Sequence, residues 1–142
     1  MLAAPGGEEA VNQQKQRGET ALGLAALCGR TAEARLLLEH GADPNLSKND
    51  GTSPLICAAM APGDAGLGAA ALLLDAKAEI DHQSKTGATA LHFACKNSNV
   101  EVARLLLERG ANQKLRGNGG EGTDYANRAV RKEEVLALLA RY

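Results

Sequence analysis

The chain has 142 residues, a net charge of −1 and a hydrophobic fraction of 44%. That length fits one domain, and a balance this close to neutral gives no whole-chain attraction to nucleic acid or to an anionic membrane. One Phe, two Tyr and no Trp leave too few rings for a base-stacking surface.

Met1–Gly7 has neither a basic region nor an apolar run, so it reads as a disordered lead and not as a secretion signal. Glu8–Asn12 (EEAVN) stands 33 residues before Gly41–Asn45 (GADPN) and reads as the tail of a preceding unit. Gln13–Glu19 is expected to form a turn-like finger. A helix is expected near Ala21–Cys28, a break at Gly29-Arg30-Thr31, and a second helix near Ala32–His40 with Arg35 and Glu39 paired at i, i+4. A second finger follows over Leu46–Thr52, where Asn49-Asp50-Gly51 carries turn chemistry. Pro54, which suits a first helical turn, opens a helix running to Ala61. Pro62–Gly68 is then an insert, with Asp64 as a helix N-cap candidate. Gly66 and Gly68 each weaken a helix by about 1 kcal/mol relative to Ala, which marks the unit that holds the insert as the expected soft spot. A third finger is expected over His82–Ala88. Gly87–Asn112 is the best-formed unit, a short helix and a longer one separated by Ser98-Asn99. The last helix carries Glu133-Glu134 in its first turn and Arg141 near its end, matching the helix dipole.

The units repeat. Thr20-Ala21-Leu22, Ser53-Pro54-Leu55 and Thr89-Ala90-Leu91 begin three copies, each with a glycine two residues earlier. Three leucines and an acid recur at Leu36–Glu39, Leu72–Asp75 and Leu105–Glu108. The steps are 33 and 36 residues between starts and 33 between the last two leucine runs, so the second copy holds the extra residues between its helices. A period near 33 with a turn and two helices is an ankyrin-type period.

Gly87–Ala94 (GATALHFA) resembles the G-x-T-P-L-H-x-A segment of ankyrin repeats, and Leu36–Asn45 (LLLEHGADPN) resembles the end of the same repeat. The resemblance runs from about Val11 to the C-terminus. It implies an all-α ankyrin-repeat solenoid of stacked helix-turn-helix units with β-turn fingers. The expected division is a lead over residues 1–10 and a domain over 11–142, with repeats at about 11–43, 44–79 and 80–112 and a degenerate capping repeat at 113–142. In that last repeat, Gly119–Ala126 (GGEGTDYA) aligns on the consensus only with a one-residue deletion, which puts Asp124 in the slot of His92. The resemblance gives that slot a structural role, tying the helix start to a neighbouring loop. Gly23 and Ile56 fill it in the first two repeats.

The resemblance also implies a partner-binding concave face made of finger tips and the exposed sides of inner helices. Carried over, this face takes Gln16, Arg17, Glu19, Leu27 and Cys28 from the first repeat. It takes Asn49, Asp50, Thr52, Met60 and Ala61 from the second, and Lys85, Thr86, Ala88, Lys96 and Asn97 from the third. Leu27 and Met60 stand 33 residues apart in equivalent slots. Exposed, they make an apolar patch rimmed by Arg17, Asp50, Lys85 and Lys96; turned inward, they belong to the core.

Chemistry of other kinds finds no support in the spacing. His40, His82 and His92 fall in different slots, so no metal is expected. Gly117–Gly122 lacks the Lys-Ser/Thr of a phosphate loop and reads as a flexible finger. Cys28, Cys57 and Cys95 show no C-x-x-C spacing and suit a reducing compartment, cytoplasm or nucleus. No stretch approaches a membrane span. The expected activity is non-catalytic and cofactor-free: binding another protein, neither nucleic acid nor membrane, by a chain monomeric on its own that regulates or occludes its partner, as small ankyrin inhibitors do. The alternative is a scaffold or assembly chaperone that bridges a second partner through Arg128, Arg131 and Lys132. Residues 1–81 hold 6 basic and 11 acidic side chains and residues 82–142 hold 10 and 6, so an acidic and a basic pole are expected.

Overall fold

The computed structural model describes residues 10–118, 120, 125 and 132–142. The expectations placed on residues 1–9, Asp124, Arg128 and Arg131 lie outside them. The described residues hold α1 (Ala21–Leu27), α2 (Thr31–Glu39), α3 (Pro54–Met60), α4 (Leu67–Asp75), α5 (Ala90–Lys96), α6 (Val100–Glu108) and α7 (Lys132–Ala140), and among them no strand. α1, α3 and α5 stack as an inner row, α2, α4 and α6 as an outer row, and α7 packs on α6. The fold is the all-α repeat solenoid expected from the period.

Each inner helix starts on a hydroxyl. Thr20, Ser53 and Thr89 lie in extended conformation, and their side chains accept from the amides of Gly23 (3.1 Å), Ile56 (3.2 Å) and His92 (3.3 Å). This satisfies one of the donors that a helix start leaves open. The following slots pack the stack. Leu22, Leu55 and Leu91 are each 1% exposed. The alanines Ala25, Ala58 and Ala94 behind them bring the helix backbones close, and all are buried. Small residues here make thin units that can bury their faces only against neighbours.

The outer helices lack side-chain caps of their own at Arg30, Gly66 and Asn99. For α6 the preceding repeat supplies one. Asp64, in the insert, accepts from the amide of Val102 at 3.1 Å. Asn99, fully buried, donates to the carbonyls of Ala59 and Ala61 at 2.8 Å each and accepts from the Asp64 amide at 3.3 Å. Asp64 thus caps the next repeat's outer helix, not α4 as its position in the sequence suggests. One of the two insert glycines expected to weaken a helix also differs from expectation, while Gly68 lies within α4. Gly66 is the N-cap of α4 and not an interior residue, and a Cβ there would overlap the Ala58 carbonyl. The insert is therefore pinned to both neighbours.

Two smaller expectations change. Arg35 makes no ion pair with Glu39 among the described residues; Arg30–Glu33 and Arg104–Glu101 pair instead, at i, i+3 and 3.4 Å. Both pairs are largely exposed and contribute little. Charge sign also follows the face as well as the length of the stack. α2, α4 and α6 carry Glu33, Glu39, Asp75, Glu101 and Glu108 against Arg35 and Arg104, while the fingers of the acidic half carry Lys15, Arg17 and Lys48 against Glu19 and Asp50.

Candidate partner-binding face

The fingers form a row. In each of the first three, a Lys or Ser amide donates across the turn: Lys15 to Glu19 (2.8 Å), Lys48 to Thr52 (2.9 Å) and Ser84 to Ala88 (2.9 Å). A glycine at φ near +80° closes the turn, at Gly18, Gly51 and Gly87. Successive fingers are then tied tip to tip. The amides of Asn49, Lys85 and Asn118 donate to the carbonyls of Arg17 (2.9 Å), Asp50 (3.0 Å) and Thr86 (2.8 Å). Gln14 reinforces the first junction by donating to the Gly18 and Ser47 carbonyls, and Gln83 the third by donating to those of Gly87 and Arg116. Main-chain links of this kind hold the tips at a fixed spacing, so their side chains form one surface.

The fourth finger corrects the sequence alignment. Among its described residues the positive-φ glycine is Gly120, 33 residues after Gly87, and its amide donates to the Gly117 carbonyl at 3.0 Å. With Gly120 as the turn residue no deletion is needed there, and the residue 33 after His92 is Tyr125, not Asp124. The Tyr125 ring stacks on His92, with centroids 4.4 Å apart and planes 4° from parallel. His92 is wholly structural. Its Nδ1 accepts from the Thr89 amide (3.1 Å), which fixes the proton on Nε2, and Nε2–H donates to the Leu115 carbonyl (2.8 Å). Burial holds its pKa below the ordinary value.

The other two histidines are also placed against main-chain carbonyls. His82 Nε2 lies 2.7 Å from the Gly51 carbonyl, and His40 Nδ1 lies 3.0 Å from the Leu36 carbonyl. No group of metal-ligating side chains occurs among the described residues. Burial raises the Cys57 and Cys95 thiols to about 11 and about 12, which makes them inert core fillers. Cys28 is an exposed free thiol.

Of the residues placed on the candidate face, Arg17, Leu27, Cys28, Asn49, Asp50, Met60, Lys85, Thr86, Lys96 and Asn97 are exposed and Glu19 is half-buried. Thr52, Ala61 and Ala88 are buried and present no side chain to a partner. Asp50 is exposed but turned onto its own finger: the Thr52 hydroxyl and amide donate to it and hold its carboxyl below the usual range. Leu27 and Met60 are each 37% exposed, so neither folds into the core.

A crevice that the sequence reading missed opens beside Leu27. It lies between α1 and α3, under the first two fingers, with Leu24, Leu27, Leu46, Pro54 and Cys57 as its apolar walls and Glu19 and Lys48 at its edge, 3.9 Å apart. It exists because Gly23 has no side chain where Ile56 and His92 stand in the later repeats. A missing side chain leaves no motif to find.

A thin helical stack with tied fingers and one open face is the build of a repeat-type interaction module. The comparisons with known proteins name the class. The family profile described as ankyrin repeats (three copies) matches residues 1–84 and 63–142, and the chain belongs to the ankyrin-repeat family. It is 31% identical to Neurogenic locus notch homolog protein 1 of Xenopus laevis over 81% of its length, and 31% identical to the human protein of the same name over 78%. It is 32% identical to human Neurogenic locus notch homolog protein 2 over 77%. The chain spans only 6% of the length of each of these relatives. Ankyrin repeats indicate a protein–protein interaction module and are typically non-catalytic. No helix among the described residues is long and apolar enough to cross a membrane.

Proposed function

We propose that this stack binds another protein across the fingers and inner helices of its first three repeats and occludes the surface it covers, in the cytoplasm or nucleus. The observation that carries the reading is the pair Leu27 and Met60. They end adjacent stacked inner helices in equivalent slots, and each is 37% exposed. An apolar pair set among exposed finger-tip side chains has the layout of an anchor with a polar rim. No nucleic acid, membrane or cofactor is required.

The test is affinity capture from native lysate with wild type beside the Leu27→Glu/Met60→Glu double variant. Both positions are surface-exposed, so the fold should persist, as circular dichroism will check. Proteins held by wild type and absent from the double variant are the expected outcome. Recovery of the same proteins by both variants would remove the basis of the proposal.

A further inference from the structure

The same face has a charge that the whole chain conceals. Among the described residues the fingers and inner helices carry six cationic side chains, Lys15, Arg17, Lys48, Lys85, Lys96 and Arg116, against two carboxylates, Glu19 and Asp50, within a chain of net charge −1; Glu121 of the fourth finger lies outside the described residues. Both carboxylates are already engaged. Glu19 pairs with Lys48 at 3.9 Å, and Asp50 is bonded by Thr52. Among the described residues, Lys15, Arg17, Lys85 and Lys96 are in no ion pair, and all four are exposed. The tip-to-tip hydrogen bonds fix Arg17 and Lys85 on the first and third fingers, with the paired Lys48 between them. The row therefore presents fixed positive charge beside an apolar crevice.

We infer that the partner presents an acidic segment carrying one aliphatic side chain, with the aliphatic group on the exposed Leu27 and its tip in the Gly23 crevice, and the carboxylates along the cationic finger row. This rests on the concave-face reading above and adds the chemistry of what docks there. Charge complementarity favours an anionic ligand. The apolar crevice and the scarcity of aromatic residues favour a peptide over a single-stranded nucleic acid, which needs stacking platforms. The crevice holds only about 20 Å³, so it takes the methyl-sized tip of the aliphatic side chain while the rest lies over Leu27. A Cβ on Gly23 would meet only Thr20 Oγ1 at 3.4 Å and Cys57 Sγ at 3.8 Å, so the slot has room. In α3 the same slot is filled by Ile56, 1% exposed.

The experiment pans a random displayed-peptide library on the immobilised full chain and measures the winners by fluorescence anisotropy. Enriched peptides should be net acidic with a Leu-, Ile- or Met-sized residue. Their affinity should fall about tenfold or more in Arg17→Glu/Lys85→Glu/Lys96→Glu, and by about tenfold when salt rises from about 0.05 M to about 0.5 M. Gly23→Ile, which plugs the crevice, should weaken them about tenfold with the helical spectrum retained. Winners that are neutral or basic, yet lost in Leu27→Glu/Met60→Glu, overturn this inference and leave the concave-face reading standing. No enrichment over bare matrix, or winners indifferent to every variant, overturns both. Polyuridylate that binds as tightly as the best peptide overturns the choice of a protein partner.

Discussion

The inner helices α1 and α5 descend from the same repeat plan and differ slot by slot. In α5 the third position is His92, buried, bonded at both ring nitrogens and covered by Tyr125. In α1 it is Gly23, which leaves a crevice. The final position is Lys96 in one and Leu27 in the other, both exposed. Ala90, at the start of α5, is 1% exposed, whereas Ala21 is exposed at the start of α1. The third repeat spends its variable slots on holding the stack together. The first leaves them open, and the apolar surface it exposes serves no packing purpose within the described residues. Regularity in this chain therefore marks where the fold is secured, and departure from it marks where apolar surface is left open.

The largest expected break in that comparison is His92→Ala. It removes two hydrogen bonds and a ring stack and leaves a cavity, at a cost of about 3 kcal/mol, read as a lower urea midpoint. Leu27→Ala, at 37% exposure, should cost well under half as much. Asn99→Ala comes next. The buried carbonyls of Ala59 and Ala61 and the Asp64 amide lose their partner, for about 2 kcal/mol. Hydrogen exchange should show the insert opening before the rest of the stack.

A third effect follows from protonation. Burial lowers the folded-state pKa of His92 below its unfolded value, so the unfolded chain binds the proton more readily. Its contribution is fully present above the unfolded pKa, near 6.5, and is lost as pH falls through that value toward the lower folded pKa. The stability difference between wild type and His92→Gln should therefore narrow between about pH 7.5 and pH 5.5. A difference that stays constant would mean that folding leaves the ring's proton affinity unchanged, and one that widens that folding raises it. Smaller again, and of opposite sign, is Gly23→Ala. It replaces a helical glycine where a Cβ has room and should stabilise by about 0.5–1 kcal/mol.

Much of the fold was legible because a 33-residue period needs only self-similarity within one chain, and the hydroxyl caps and leucine runs recur in phase. What the sequence hid depends on contacts between repeats or on absent atoms. Asp64 and Val102 are 38 residues apart, so the cross-repeat cap looked like an ordinary helix start for α4. Gly117–Gly120 (GNGG) offers two glycines in succession, and only the backbone shows that Gly120 makes the turn. Thr52, Ala61 and Ala88 are small enough to be covered by their neighbours, so equivalence of slot did not guarantee exposure. The exposure of Leu27 and Met60 was left open by the sequence, since a helix-terminal apolar residue packs inward or outward with equal ease.

The repeat junctions make a final, finer comparison. At the first junction Asn12 donates to the Gly41 carbonyl (3.1 Å) and accepts from the Asp43 amide (2.7 Å). At the second, Asn45 donates to the Lys77 carbonyl (3.3 Å) and accepts from the Glu79 amide (2.8 Å). At the third the same place is taken by Asp81, which accepts from the Asn112 amide at 2.8 Å. A carboxylate has no hydrogen to donate, so Gly110, which stands where Gly41 and Lys77 do, receives nothing from it. Asp81→Asn restores the donor while keeping the acceptor. It should stabilise by about 0.5–1 kcal/mol and raise the melting temperature by about 2 °C, with the Gly110 carbonyl shift moving in an NMR spectrum. A fall in stability would show that the second carboxylate oxygen is engaged in the folded state, and that the third junction is built differently from the first two.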